Sequence, residues 1–158
     1  MTGEAWFSAL GEPLDQAEHA EIAAYLSGLG MAAPVHAVSS WNEAAGTCAQ
    51  PADAWWSAEE KERARLEKGA RPLDPADPEW LALSYRLHGA AAVAATRFGC
   101  ADAALIRVAA GAASYAAYQA RLARAAGAAA AHPFLRKYAL YCGGRWPLGV
   151  YEGRFAIF

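Results

Sequence analysis

Three cysteines, Cys48, Cys100 and Cys142, are too few and too scattered for a disulfide framework, and no C-x-x-C pair marks a zinc ribbon or redox site. Free, mostly buried thiols in a reducing cytoplasm are the expectation. The signatures G-x-G-x-x-G, P-loop, G-x-S-x-G, H-E-x-x-H and EF-hand are missing, so dinucleotide, nucleotide, hydrolase, zincin and calcium chemistry have no sequence support. The four histidines form no ligand pattern, and neither a metal nor a cofactor is expected. The longest apolar run, Val108 to Ala120, contains Gly111, Ser114 and Gln119 and is too short to span a bilayer. Residues Met1 to Phe7 carry neither a basic n-region nor an apolar h-region, so no signal peptide is expected and the location should be cytoplasmic. Charge of either sign is scarce too. Asp, Glu, Lys and Arg make up 19% of 158 residues, and the formal charge of −2 argues against a general nucleic-acid binder.

What is present is alanine, 43 residues of it, inside an apolar fraction of 56%. That fraction offsets chain entropy and excludes wholesale disorder. Alanine favours helix but buries little area, so the packing should rest on 6 Trp, 7 Tyr and 5 Phe, with alanine letting elements approach closely. The small net charge conceals a division. Residues 1–79 carry 14 acidic against 5 basic side chains, and residues 80–158 carry 2 against 9. The expected organisation is a single domain, 1–158, in which an acidic N-terminal half (residues 1–79) and a basic C-terminal half (residues 80–158) share one core. The split is either internal complementarity or two surfaces of opposite sign.

Periodicity predicts an α+β chain, mainly helical, with about four helices, a long αα-hairpin and a small C-terminal antiparallel sheet. Asp15 and Glu18 form a capping box for a first helix ending near Gly28. Residues 34–39 read as a short strand, and Ser40 caps a turn of helix through Ala45. Ser57 and Glu60 suggest a second capping box, with Glu59–Arg63 and Glu62–Arg65 pairs along that helix. Pro72, Pro75 and Pro78 mark a rigid acidic connector. Asp77 with Pro78 at the first helical position opens a helix to about Phe98, and Asp102 opens another to about Gly127 with a stripe from Ile106 through Ala113 to Ala120. In the tail, residues 138–142, 148–151 and 154–158 alternate as three strands of an antiparallel meander, turned by Gly143-Gly144 and Glu152-Gly153, which the strand near Val35 can join.

These residues support two classes of function. Trp55 and Trp56 beside Glu59, Glu60, Glu62, Asp74 and Asp77 resemble a protein-binding surface, in which rings give affinity and carboxylates give on-rate to a basic partner. The expectation is a small non-enzymatic interaction protein, such as an immunity or antitoxin-type inhibitor of a basic toxin domain. The alternative is a small enzyme built on His132, Cys142 and Arg145, with His132 as base and Arg145 favouring the Cys142 thiolate. A related alternative is an anion-binding face of Arg107, Tyr118 and Arg121 on one helix. Gly111, in the middle of that helix, predicts a close packing partner.

Overall fold

The Asp15 carboxylate accepts the Glu18 amide hydrogen at 2.7 Å, and Glu18 returns the bond to the Asp15 amide, starting α1 (Gln16–Gly28) as the capping box predicts. In this computed structural model, residues 5–71, 73, 74 and 76–158 are described. Pro72 and Pro75 of the expected connector, and Met1 to Glu4, lie outside the described residues. Six helices and three strands follow one another as α1, β1 (Val35–Ala37), α2 (Trp41–Cys48), α3 (Asp53–Glu67), α4 (Pro78–Arg97), α5 (Ala103–Ala125), α6 (Pro133–Cys142), β2 (Pro147–Tyr151) and β3 (Arg154–Ile157). The chain is thus mostly helical with a small sheet near its C-terminal end, and the described residues form six helices rather than about four.

Asp77 and Asp102 cap α4 and α5 as expected, and Pro78 sits in the first turn of α4. The two helices pack against one another. The alanine stripe of α5 is buried at Ala109, Ala110, Ala113, Ala117 and Ala120. Gly111, by contrast, faces open space, and no close partner stands against it among the described residues. Helix α3 begins four residues before Ser57, at Asp53, and Ser57 lies within it rather than capping it.

The tail departs most from expectation. Residues 138–142 are not a strand but the end of α6, which His132 caps by accepting the Phe134 amide hydrogen, with Pro133 in the first turn. The sheet is therefore mixed, not an antiparallel meander. Its order is β1-β3-β2, with β1 parallel and β2 antiparallel to the central β3. The predicted Glu152-Gly153 turn is present, with φ of 49° and 73°. Positive φ at both central positions matches the twist of a tight hairpin.

The main core cluster joins Phe7, Trp41, Leu87, Tyr141, Trp146 and Phe158 with the α5 alanines. A second cluster sets Ile22, Tyr25 and Leu26 of α1 against Leu140, Phe155 and Ile157. A third groups Leu66, Leu122, Ala123 and Phe134. Residues from both halves of the sequence meet in each cluster. Among the described residues no helix is long and apolar enough to cross a membrane.

Candidate functional site

Four helices converge on one buried carboxylate. Glu59 of α3 is 1% exposed and Lys137 of α6 is 2% exposed. The Lys137 ammonium donates to both Glu59 oxygens at 2.8 Å and to Gln119 Oε1 at 3.1 Å, so all its hydrogens are used. Tyr25 of α1 donates to Glu59 Oε1 at 2.5 Å, and Gln119 Nε2 of α5 donates to Oε2 at 3.2 Å. Trp55 Nε1 donates to the Tyr25 hydroxyl at 2.8 Å. Burial pushes the Lys137 pKa down while Glu59 pulls it back up, with a net lowering. Burial and the adjacent carboxylate raise that of Tyr25 well above its usual range.

Directly over this closed network lies a pocket of about 150 Å³. Its walls are Trp55 and Trp56 from α3, Tyr115 and Ala112 from α5, Tyr141 from α6, and Trp146 to Leu148 with Tyr151 from the sheet side. The rings are set at an angle to each other. Trp55 and Trp56 centroids are 4.9 Å apart at 58°, and Trp56 and Tyr115 are 6.5 Å apart at 42°. Lys137 stands 5.0 Å from the Trp55 centroid and 5.9 Å from that of Tyr115, so it fills the cation-binding position of both rings from inside. Trp56 is 50% exposed, and Val108 is exposed beside it. Gly149 permits the close approach of Trp55. A Cβ there would sit 2.6 Å from the Trp55 ring, and the Gly149 φ is +128°. Cys48 also lines the pocket, and burial pushes its thiol up to about 11, which favours the neutral thiol at that residue. A second, polar pocket of about 320 Å³ adjoins through Gln50 and Tyr151 and includes His36, Glu152 and Arg154.

The acidic surface read from the sequence is largely engaged within the chain. Glu59 faces inward to Lys137 instead of pairing with Arg63, which bonds Glu60 and Glu67. Glu62 pairs with Arg65 at 2.6 Å, as expected, and with His132 at 2.7 Å. Asp77 caps α4 and pairs with Arg121 at 2.5 Å, which holds its carboxyl below the usual range. Asp74 accepts the Ala76 amide hydrogen. Trp55 is buried, and only Trp56 of the pair is open to solvent.

Most residues of the two alternative readings are engaged with other partners. His132 is bound to Glu62, whereas Arg145 is buried and holds Glu18. The five Arg145 hydrogens all find acceptors, two on Glu18 and three on the carbonyls of Ala9, Glu12 and Pro13. Burial raises the Glu18 pKa, but the Arg145 bonds outweigh it and leave the carboxyl lowered. Cys142 is partly buried at the end of α6. On the proposed anion-binding face, Tyr118 donates to Glu67 at 3.0 Å and Arg121 is held by Asp77, which leaves Arg107 exposed without a partner among the described residues. Glu18–Arg145, Glu21–Arg136, Glu59–Lys137, Glu62–His132 and Asp77–Arg121 all cross between the acidic and basic halves. Much of the charge division is internal complementarity.

Sequence reasoning missed Lys137, Gln119, Tyr115 and Tyr141. Lys137 interrupts the buried stripe of Phe134, Leu140 and Tyr141 on α6, which hides its helical period. The available signal was His132-Pro133, a cap followed by a first-turn proline. No groups of three or more potential metal ligands occur among the described residues. Comparisons with protein-family models, with curated proteins and with solved structures find no match to this chain.

Proposed function

We propose that this chain is a cytoplasmic, non-enzymatic interaction protein that receives an apolar element of a partner protein at the Trp56–Tyr115–Val108 rim. One observation carries the reading. The ring-lined pocket opens to solvent over a polar floor in which every hydrogen-bonding group of Glu59 and Lys137 is already paired within the chain. Such a floor needs no ligand to satisfy it and offers no general base or nucleophile. Ring-lined pockets with an exposed tryptophan are the usual energetic centres of protein interfaces.

An immunity or antitoxin-type inhibitor is the finer form of this proposal. On this reading recognition rests on rings more than on charge. Glu60, Glu62 and Asp77 already hold arginines, and Lys61 and Arg65 of α3 are exposed, as is Lys68 at its C-terminal end. A partner seated here gains most from aromatic burial and little from a basic surface, so its binding should depend weakly on salt. The enzyme alternative has less support, because His132 and Arg145 are engaged at separate carboxylates.

The test is site-directed photo-crosslinking. A photoreactive phenylalanine analogue at position 56 should give one discrete heteromeric adduct in the native host. The same residue at position 85, on the exposed outer face of α4, should give none. Equal labelling at both positions, or none at position 56, refutes the assignment.

A further inference from the structure

We propose that the pocket over Lys137 takes one uncharged aromatic ring, supplied by a side chain of the partner. This rests on the interaction reading above and names the chemistry of the anchoring group. Size is the first argument. The volume of about 150 Å³ is that of a cavity known to hold benzene, and it lies below the usual range for drug-sized ligands. Charge is the second. A cation is excluded because the protein's own ammonium already stands against Trp55 and Tyr115, at 5.0 and 5.9 Å from their centroids. An anion finds no donor at the floor, since Lys137 spends its hydrogens on Glu59 and Gln119. The shape of the walls is the third. Trp55, Trp56 and Tyr115 are tilted relative to one another, which offers an inserted ring both faces and edges. Tilted and edge-to-face contacts favour an aromatic group over an aliphatic one of equal size.

The probes are p-cresol, benzylammonium and cyclohexylmethanol, together with acetylated, amidated Gly-Tyr-Gly and Gly-Lys-Gly peptides. Binding is followed through the indole N–H resonances of Trp55 and Trp56 in the full chain. p-Cresol should saturate with a Kd on the order of 1 mM, in line with the small number of atoms it buries. Cyclohexylmethanol should bind roughly fivefold more weakly, as expected when ring–ring contacts are lost, and benzylammonium at least tenfold more weakly. The Gly-Tyr-Gly peptide should shift the same resonances, and Gly-Lys-Gly should not. Ala112→Leu, which projects into the pocket from a half-buried position, should abolish p-cresol binding with its melting temperature kept. Trp56→Ala should weaken that binding several-fold. Equal binding of the cation, equal binding of the aliphatic probe, no saturation by p-cresol, or full binding to Ala112→Leu would each overturn the proposal. If p-cresol binds but Gly-Tyr-Gly does not, the ring comes from a free small molecule and the side-chain source is refuted. Ring binding without a crosslink at position 56 would leave the pocket chemistry standing and remove the protein partner. A crosslink without ring binding would do the reverse.

Discussion

Lys137→Met leaves Glu59 charged and buried with only Tyr25 and Gln119 as donors. Removing one partner of a buried ion pair costs about 3–5 kcal/mol. For a domain of this size each kcal/mol moves the midpoint roughly 2–4 °C, so the melting temperature should fall by about 6–20 °C. Glu59→Gln/Lys137→Met removes both charges and gives up the Lys137 bonds, but a glutamine at position 59 still accepts from Tyr25, and it donates to Gln119 Oε1 once the Gln119 amide turns over, because that oxygen no longer receives Lys137. The double variant should recover at least about 2 kcal/mol relative to Lys137→Met, because the unpaired charge is gone. Glu59→Gln alone strands the ammonium, which can shed its proton because burial lowers its pKa. The unfolded chain then binds the extra proton between the folded pKa and the ordinary lysine value, so this variant's stability should rise with pH, whereas that of Lys137→Met should not. Urea unfolding at pH 7 and 9, fitted for midpoint and slope, measures all three. A cost below about 1 kcal/mol for Lys137→Met, or strict additivity in the double variant, would refute the account of this network. Tyr118→Phe, which loses only an exposed bond to Glu67, is the control and should stay within about 0.5 kcal/mol.

Three further outcomes follow from the geometry. Gly149→Ala places a Cβ 2.6 Å from the Trp55 ring at a positive φ, and calorimetry should show a loss of about 1–3 kcal/mol from overpacking alone. Tyr25 and Tyr141 ionise well above the usual tyrosine range in the folded protein, chiefly through burial. They titrate near pH 10 when unfolded, so above that pH the native state holds more protons and stability should fall by about 1.4 kcal/mol per pH unit for each. Urea midpoints at pH 9, 10 and 11 read this directly, and a flat profile contradicts it. Deleting Phe155 to Phe158 removes most of the central strand and the Phe158 ring that meets Trp41 and Phe98. Circular dichroism should show no cooperative melt, and an unchanged transition would disprove the role given to β3.

Elements governed by local chemistry were legible in the sequence. Asp15 with Glu18, Asp77 with Pro78, Asp102 and the Glu152-Gly153 turn each act within a few residues of themselves, and each is found where the pattern puts it. The α6 helix was not legible, because a lysine sits at the centre of its buried face and only its distant carboxylate makes that position tolerable. The same distance hid the site. Glu59 looks on its own helix like a partner for Arg63, and nothing local says that it turns inward to meet a residue 78 positions away. The mixed sheet escaped for a similar reason. Alternation identified β2 and β3, but the choice of β1 as a parallel neighbour is made by packing alone.

The central place of β3 also sets an order of events during synthesis. Val35 pairs with Phe155, so the earliest strand must wait for some of the last residues before its edge is covered. Helices α4 and α5, separated by a short connection, can associate long before that. An uncovered strand edge is a template for wrong pairing, and non-local parallel pairing is slow to form. Between the emergence of β1 and the arrival of β3, the β1 edge therefore stays open to wrong pairing.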